Sequence, residues 1–581
     1  MPLIGFNYHV FDHLMNSTNS ERRNVIEPSI LTSSDQTPSK KPLEKSNSMN
    51  DFMASWTSNW KVVRRDLNGL KLLGSLKWRM RRAFRRNKPL HYYFLHWVYT
   101  EPSKQCVYEV ETGRSFTFAE LNKLANRYAN YFYEQGLRRG DVIALFMENN
   151  ADFFALWLGL SKLGIVTLRT TINEGLLPRD TQIFGIGKSD TYKDVPNLCE
   201  LTHDETEPTI PNGHNFESYY FMTHATGRAF GIHNSDRIYI TMPLYHSAAG
   251  IIGIGQAIVR GSTVIIRRSF SAQEFWKDAV KHNATVSQYI GEICRYLLAQ
   301  PYQPEEEKHK IRMMYGNGLR PEIWKEFVDR FGIKRIGEFY GSTEGNSAML
   351  NLDSHIGSCG FIPVYFGLNK VYPTCLLKMS FREVVGIIKD DAQSRFEGYL
   401  DDVDNKKKVI RNVLKKGDAA FQTGDILLWD KDGYVYFKDR RGDTYRWNVS
   451  TTEVEGVLQP IMSIQDATVY GVEVHGREGR AGMIGTTLKN NAFVEDLLNE
   501  LAERLSQQLA NYAIPLFVRI CKQVNRTGTF KLKKSDLQKQ GFDPSQCNGD
   551  EIFYWNVEER KYLPLDSKMY SDIQSGVYNK I

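Results

Sequence analysis

The chain of 581 residues is several times longer than a typical domain of roughly 100 to 200 residues, so we expect a large core and at least one smaller domain. A hydrophobic fraction of 41% suits a globular enzyme, and a mean hydropathy of -0.42 argues against a protein with many membrane spans. The net charge of +7 is too small over this length to indicate nucleic acid as the main ligand.

The first 60 residues are predicted to form a disordered tail. Residues 1 to 50 are rich in Ser, Thr, Asn, Pro and Lys and have little hydrophobic periodicity, so they bury too little apolar surface to fold alone. They also lack the continuous apolar stretch of a secretory signal peptide.

Residues 61–90 combine basic and apolar side chains. Arginines and lysines are interleaved with leucines, a tryptophan and a methionine. This composition is typical of a basic amphipathic helix that lies on an anionic membrane surface. A solvated helix at a domain edge has the same pattern, so the residues leave both interpretations open.

Helices and strands then follow one another along the chain. Thr117 and Glu120 predict a capping box that begins a helix, and Gly136 ends it. A strand over 142–147 and a second helix-strand pair over 327–339 favour an α/β fold with central sheets flanked by helices. The apolar stretch 153–168 is shorter than the roughly 20 residues of a membrane span and is predicted to be a buried helix.

The C-terminal part is predicted to be a separate, smaller domain. A hairpin over 426–437 turns at Asp432-Gly433, and the smaller domain starts after Asp439 and contains an amphipathic helix over 494–505. The seven cysteines are scattered and have no C-x-x-C spacing, which indicates reduced thiols on the cytosolic side.

From His91 onward, three stretches carry a resemblance to a known family. They are Arg-Arg-Gly-Asp-Val-Ile-Ala-Leu-Phe-Met-Glu-Asn at 138–149, Gln-Tyr-Ile-Gly-Glu-Ile-Cys-Arg-Tyr-Leu-Leu at 288–298, and Gly-Asp-Thr-Tyr-Arg-Trp at 442–447. The chain resembles the fatty acid transport proteins, also called very-long-chain acyl-CoA synthetases, of the adenylate-forming superfamily. The resemblance implies an α/β fold with a large N-terminal adenylate-forming domain, 91–439, and a smaller mobile C-terminal α+β domain, 440–581.

The same resemblance implies an enzyme that uses ATP and Mg²⁺ to convert a long-chain or very-long-chain fatty acid into an acyl-adenylate. The acyl group then passes to CoA, and the reaction is coupled to fatty acid uptake. Family members are associated with the endoplasmic reticulum or plasma membrane, which implies a membrane-associated protein on the cytosolic face. A homo-oligomer is compatible with the resemblance, and nucleic acid is not an expected partner.

Two motifs match the family's adenine side. Gly316-Asn317-Gly318 is expected to bring backbone close to adenine, although an ordinary tight turn explains the spacing equally well. The family's adenine-stacking and metal-binding motif is matched by Tyr340-Gly341-Ser-Thr343-Glu344, in which Tyr340 supplies the aromatic face and Glu344 the carboxylate for Mg²⁺ or phosphate.

Four further residues match family positions. Asp425 is expected to bind the ribose hydroxyls, although Gly-Asp is also ordinary turn chemistry, and Arg440 is the expected cation beside ribose or phosphate. His246 would close the acyl or carboxylate side of the pocket, with a core histidine as the alternative. Lys531 is the candidate for the lysine that meets the carboxylate and the α-phosphate, with a solvated basic face as the alternative.

The chain departs from the family in its phosphate loop. Members carry a Thr-Ser-Gly-Thr-Thr-Gly-x-x-Lys loop, whose backbone N–H groups and hydroxyls wrap the β- and γ-phosphates. The chain has no such stretch, and Ser218 adjoins Tyr219 where the loop is expected. The similar stretch 223–228 lies too close to His246 and is predicted to belong to the helix that follows the loop. Arg446-Trp447 likewise runs into Asn448 without the family's Lys-Gly-Glu.

These departures predict a severe loss of activity, because losing a single preorganised donor already costs about 3 to 4 kcal/mol of transition-state stabilisation. A non-catalytic relative that binds lipid or a protein partner is therefore an alternative function, and transport separable from catalysis is another. A splicing event or an error in the translated sequence would both produce such gaps.

Overall fold

The structure is a computed structural model that describes residues 49–86, 88–145, 147–169, 217–341, 348–364, 374–376, 383–388, 406, 408–413, 416–440, 445, 449–475, 479–489, 492–522 and 533–578. The chain divides into two compact units, Met1–Asn59 and Trp60–Ile581. Of the first unit, the structure describes helical residues 49–59. The architecture below is that of the second unit.

The helices are α1 (Met49–Arg86), α2 (Leu90–Thr100), α3 (Phe118–Glu134), α4 (Ala151–Leu163), α5 (Glu217–Phe230), α6 (Ser247–Gly250), α7 (Gly255–Arg260), α8 (Phe275–Lys281), α9 (Gly291–Leu298), α10 (Glu305–Lys308), α11 (Pro321–Phe331), α12 (Thr451–Leu458), α13 (Val494–Gln508), α14 (Lys534–Gln540) and α15 (Ser567–Gln574). In the described part of the chain, no helix has both the length and the apolarity needed to cross a bilayer.

The strands of the large domain are β1 (Gln105–Glu109), β2 (Ser115–Thr117), β3 (Val142–Leu145), β4 (Val166–Arg169), β5 (Arg237–Ile240), β6 (Thr263–Ile266), β7 (Val286–Ile290), β8 (Met313–Asn317), β9 (Arg335–Gly341), β10 (Ala348–Leu350), β11 (Gly360–Phe361), β12 (Thr374–Leu376), β13 (Glu383–Ile387), β14 (Val409–Arg411), β15 (Ala419–Trp429) and β16 (Tyr434–Arg440). Those of the C-terminal region are β17 (Ile464–Glu473), β18 (Arg480–Leu488), β19 (Phe517–Ile520), β20 (Glu551–Asn556) and β21 (Lys561–Pro564).

Among the described strands, the largest sheet has the order β10-β9-β8-β7-β5-β6-β1-β2. Its central strands, from β9 to β1, run parallel, and both outer pairs are antiparallel. Buried parallel strands need apolar residues on both faces, and β6 and β7 are buried along their whole length. The carboxyl ends of β7, β8 and β9 meet at one edge, where ligands bind in open α/β sheets.

A second sheet of antiparallel strands is ordered β11-β16-β15-β13-β12, with β14 also pairing with β15. The β15–β16 hairpin was predicted from sequence and is confirmed, with its turn at Asp432-Gly433. Gly433 has φ +83°, a conformation that favours glycine, and a Cβ there would lie 2.3 Å from the carbonyl oxygen of Ile362. This hairpin carries Asp425 on one strand and Arg440 on the other.

Helix α1 is anchored to that hairpin by a buried arginine. The guanidinium of Arg65 lies between two rings, 4.5 Å from the centre of Phe361 and 4.2 Å from that of Tyr434. It donates a hydrogen bond of 2.7 Å to the carbonyl oxygen of Asp432 and pairs with Asp66 at 2.7 Å. Arg65 therefore serves packing and does not contribute its charge to a membrane-facing surface.

The C-terminal sheet, ordered β17-β18-β19-β20-β21, is covered by α13 and joined to the large domain by ion pairs. Arg295 of α9 contacts Asp466 at 2.8 Å, and Arg320 contacts Glu455 at 2.8 Å. Burial alone would raise the pKa of Glu455, but the charges of Lys534 and Arg320 outweigh it, so the pKa is lowered and the carboxylate stays charged.

Several sequence predictions of local structure are confirmed. The side chain of Thr117 accepts from the Glu120 N–H at 3.2 Å, and the Glu120 carboxylate accepts from the Thr117 N–H at 2.8 Å, which completes the capping box of α3. The amphipathic helix predicted over 494–505 is present as α13. The described cysteines that can be assessed are buried and free: Cys106, Cys294, Cys359, Cys521 and Cys547.

Two predicted boundaries are wrong. The helix predicted over 153–168 ends at Leu163, because Gly164 takes φ +72° and the β-branched residues after it form β4. The tail predicted to reach residue 60 is helical from Met49, since large apolar residues recur at helical spacing through Phe52, Trp56 and Trp60. Residues 1–48 of that tail lie outside the described residues.

Candidate active site

A glycine turn follows β8 at the carboxyl edge of the main sheet. A Cβ on Gly316 would lie 1.9 Å from the carbonyl oxygen of Tyr289, so no larger residue fits where β8 passes β7. Gly318 takes φ +83°, and a Cβ on Gly291 would lie 1.8 Å from the carbonyl oxygen of Gly318. The turn predicted at Gly316-Asn317-Gly318 is therefore present, and it brings bare backbone to the edge where a ligand would bind.

A buried carboxylate, Glu338, holds this turn in place. Glu338 lies on β9 with 4% exposure and accepts hydrogen bonds from the Gly318 N–H and the Tyr289 hydroxyl. Burial, with the Glu338 charge as a further cause, raises the pKa of Tyr289, so that hydroxyl remains a donor. Sequence analysis missed Glu338. Its signal is a carboxylate in the middle of a strand, directly between Gly337 and Phe339, and a buried carboxylate is rare unless the charge has partners.

Tyr340, two residues after Glu338, meets the predicted ribose residue. Its hydroxyl donates a hydrogen bond of 2.7 Å to Oδ2 of Asp425. The other carboxylate oxygen, Oδ1, lies 3.3 Å from Nε of Arg440, which is opposite Asp425 in the β15–β16 pairing. The structure thus brings together Tyr340, Asp425 and Arg440, which sequence analysis had assigned separately.

The electrostatics of these three residues suit a ligand with hydroxyls and negative charge. Tyr340 and Asp425 are 8% and 7% exposed, whereas the Arg440 side chain is 69% exposed. Burial, followed by the Asp425 charge, raises the pKa of Tyr340, so its hydroxyl stays protonated and donating. Each carboxylate oxygen retains a lone pair, so Asp425 is able to accept from two further hydroxyl groups.

The end of β16 contacts the C-terminal domain beside this cluster. Asp439, with 3% exposure, accepts from the Arg440 N–H at 2.7 Å and from the Thr451 N–H at 2.5 Å. One carboxylate therefore joins the end of β16 to the start of α12. In the sequence between β16 and α12, the family's Lys-Gly-Glu is missing between Trp447 and Asn448.

His246 lies after β5, at the N-terminus of the short helix α6. Its Nδ1 accepts a hydrogen bond of 3.2 Å from the Ala248 N–H, and its side chain is half-buried. The histidine therefore caps a helix, a role that neither reading of the sequence anticipated. Its contact with the acyl side of the pocket stays a prediction.

Three predicted site residues, Thr343, Glu344 and Lys531, lie outside the described residues, and Gly341 ends β9 opposite Ala348. In the ranges that the structure does describe, no group of three or more His, Cys, Asp or Glu residues is placed to hold a metal ion. The Mg²⁺ contact of Glu344 stays a prediction.

The sequence that forms this site matches known protein families. Residues 94–180 and 202–367 match the model of the AMP-binding enzyme family, and residues 453–531 match that of the AMP-binding enzyme C-terminal domain. The chain is 37% identical to long-chain fatty acid transport protein 1 of Homo sapiens over 89% of its own length and 92% of the relative's. It is 35% identical to long-chain fatty acid transport protein 6 of Mus musculus over 83% and 90%.

The chain belongs to the long-chain fatty acid transport protein family of AMP-binding enzymes. The fold of the chain is similar to that of solved CoA ligase structures. An anthranilate CoA ligase in complex with anthranoyl-AMP matches with a TM-score of 0.63 at 16% identity, covering 78% of the chain and 97% of that structure. A Bacillus subtilis o-succinylbenzoate CoA synthetase with ATP and magnesium matches with a TM-score of 0.60 at 19% identity, covering 78% and 99%. The predicted adenylate-forming fold is confirmed.

In this fatty acid transport protein relative, the stretch that most resembles the missing phosphate loop is part of helix α5. Residues 223–228, the stretch most like the family loop, lie inside α5, as sequence analysis predicted. A helix interior has its backbone N–H groups paired with carbonyl groups, so it cannot wrap a phosphate with them. The residues 170–216 that precede α5 lie outside the described residues.

Proposed function

We propose that this protein is an ATP-dependent ligase that joins long-chain or very-long-chain fatty acids to CoA and thereby couples their uptake to activation. The observation that carries the proposal is the contact of Tyr340, Asp425 and Arg440 beside the glycine turn. Membership of the family and the names of the relatives supply the substrate class. A purely lipid-binding role is not favoured, because a lipid site alone has no need of this nucleoside-type cluster.

In the first step, an oxygen of the fatty acid carboxylate attacks the α-phosphorus of ATP, and pyrophosphate leaves. In the second, the CoA sulfur attacks the acyl carbonyl, and AMP leaves. We assign the adenine to the backbone at Gly316–Gly318 and the ring of Tyr340, and the ribose hydroxyls to Asp425. The exposed guanidinium of Arg440 lies 3.3 Å from the Asp425 carboxylate, and there it would offset phosphate charge.

The remaining assignments follow the family motifs. Lys531 would neutralise charge between the carboxylate and the α-phosphate, His246 would border the acyl chain, and Gly341 and Thr343 would line the turn after β9. Glu344 would hold Mg²⁺, which would supply charge neutralisation to the triphosphate when it is bound.

The missing loop limits this chemistry at the phosphates. Removing one preorganised donor from an active site lowers kcat by about 100- to 1,000-fold, and a whole loop contributes several donors. We therefore expect the protein to bind the nucleoside part of ATP while turning it over slowly.

The experiment is fatty-acid-dependent exchange of labelled pyrophosphate into ATP. It compares this exact chain with a version that carries a family-type phosphate loop between Ser218 and Tyr219, and with a control insert of equal length without glycine, serine or threonine. We expect the loop version to exceed both others by at least about 100-fold. If the loop version binds long acyl chains and AMP but gives no exchange, the ligase proposal is wrong and lipid binding replaces it.

The fatty acid transport relatives suggest a membrane location, and we propose that α1 provides the contact on the cytosolic side. Its exposed face carries basic and aromatic side chains at helical spacing, including Trp60, Arg64, Lys71, Trp78 and Arg82. Trp78 is 59% exposed, and the guanidinium of Arg82 lies 5.6 Å from its ring centre. Such a face suits the boundary between lipid headgroups and acyl chains.

Flotation on vesicles tests this membrane contact. Reversing the charge of Arg81, Arg82 and Arg85, which are all exposed, should abolish flotation on anionic vesicles, because each basic residue near the surface contributes about 1 kcal/mol. Reversing Arg138, Lys277 and Lys325, which lie on other elements, is the matched control. Equal flotation of both variants would show that α1 is not the anchor.

A further inference from the structure

A second polar cluster lies on the helices, outside the nucleotide site. Tyr93 of α2 stacks on Tyr220 of α5 with ring centres 4.3 Å apart, and Tyr220 stacks on His224 at 5.4 Å. His224 is only 6% exposed. In the part of the chain that the structure describes, neither of its ring nitrogens has a hydrogen-bond partner. A buried histidine with both nitrogens unpaired is costly unless a ligand satisfies one of them.

Two arginines, Arg228 and Arg260, lie near His224. Arg228 follows His224 by four residues on α5 and is exposed, so the two side chains are neighbours on one helix face. Arg260, at the end of α7, packs directly against α5 at Gly227. A Cβ on Gly227 would lie 3.0 Å from Nε of Arg260, and that nitrogen has no partner among the described residues.

Arg79 of α1 adds a third positive charge. Burial, together with the charges of Arg260, Arg79 and Arg228, lowers the pKa of His224 to about 3. Burial also lowers the pKa of Arg260, as do the charges of Arg228 and Arg79. The cluster is therefore positive, with a buried, neutral His224 and with Arg79 and Arg228 exposed.

We propose that Arg228 and Arg260, with His224, form a binding site for a phosphate group between α5 and α7, and that Arg79 of α1 adds positive charge to it. Guanidinium groups bind phosphate oxygens through paired N–H donors. The neutral imidazole donates one further hydrogen bond. Bound phosphate removes the mutual repulsion of the arginines and satisfies the unpaired nitrogens.

This site does not depend on ligase chemistry, and its ligand has two sources. A phosphate monoester headgroup of a lipid is one, because Arg79 belongs to the helix that also exposes Trp78. Free phosphate in solution is the other. Both present the same oxygens to the arginines, so the experiment has one arm for each.

The experiment uses the full chain and the substitutions Arg228→Gln, Arg260→Gln and His224→Phe, with Lys325→Gln as the control. Lys325 is exposed on α11, outside α1, α5 and α7. Binding of inorganic phosphate is measured by calorimetry, and binding to phosphatidylcholine vesicles with and without phosphatidic acid by sedimentation. If Arg260→Gln fails to fold, Arg228→Gln still tests the site, because the Arg228 side chain is exposed.

We expect Arg228→Gln and Arg260→Gln to weaken phosphate binding at least about tenfold, since each loses a charge-assisted hydrogen bond. The control should change it by less than about twofold. A parallel loss on phosphatidic acid vesicles supports the proposal with lipid as the source, and a loss confined to inorganic phosphate supports it with free phosphate. Failure of the wild-type chain to bind phosphate, or an equal effect of Lys325→Gln, overturns it.

Discussion

The nucleoside side and the phosphate side of the candidate site differ in how completely they are built. On the nucleoside side, Tyr340 and Asp425 are buried and joined by a hydrogen bond of 2.7 Å, and Glu338 holds the adjacent glycine turn. On the phosphate side, Ser218 adjoins Tyr219 where relatives carry a glycine-rich loop. We therefore expect the two sides to be separable in this chain. Nucleoside binding would depend on strands that are present, and turnover would depend on a loop that is missing.

The largest effect of a single substitution is expected at Glu338, on the nucleoside side of the site. Glu338→Ala removes the acceptor for the Gly318 N–H and the Tyr289 hydroxyl. Leaving the buried Tyr289 hydroxyl unpaired costs about 1 to 3 kcal/mol, and the lost contact with Gly318 adds to this cost. The midpoint of denaturant unfolding should fall, and AMP binding should weaken as the turn loosens. Glu338→Gln, which keeps one acceptor oxygen, should lose less. Equal stability of wild type and Glu338→Ala would show that the carboxylate does not support the turn.

A smaller effect is expected at Asp425. Asp425→Asn keeps the shape of the side chain but removes the charge that faces Arg440 and the ribose hydroxyls, so AMP should bind about 10- to 100-fold more weakly. Calorimetric titration with AMP measures this loss. Asp432→Asn, at the turn of the same hairpin, is the matched control and should bind AMP normally. Unchanged AMP affinity in Asp425→Asn would remove the ribose assignment.

The smallest effect is expected at Tyr340. Tyr340→Phe keeps the ring that we assign to adenine and removes only the hydroxyl that orients Asp425, so AMP affinity should fall about 3- to 10-fold. Because the pKa of Tyr340 is raised above its ordinary value of 10.0, wild-type affinity should not decline as the pH approaches that value. A decline that is absent in Tyr340→Phe would show that the hydroxyl ionises early and contradict this environment.

Sequence analysis predicted the fold class, the hairpin at Asp432-Gly433 and the capping box at Thr117, because each depends on local chemistry or on a strong family resemblance. It missed the partners of buried charges. Glu338 acts through Gly318 and Tyr289, and Arg65 through a hairpin 367 residues away. Contacts at such separation leave no periodic signal along the chain, so the sequence showed only that charged residues stood in apolar surroundings.

The same limit applies to the segment 61–90. Its composition predicted a basic helix, and burial then divides the helix into two faces with different roles. Arg65 is fixed between Phe361 and Tyr434, while Arg82 and Trp78 face outward. Counting charges along the segment could not separate the two groups, because a neighbouring arginine belongs to the opposite face of a helix.

The most direct test of the account compares the affinities of ATP and AMP for this chain with and without a phosphate loop inserted between Ser218 and Tyr219. If the nucleoside side is built and the phosphate side is not, the chain as it stands binds AMP and gains nothing from the two extra phosphates. Insertion of the loop should then tighten ATP binding by more than about tenfold and leave AMP binding unchanged. ATP binding that is already more than tenfold tighter than AMP binding without the loop would contradict the account.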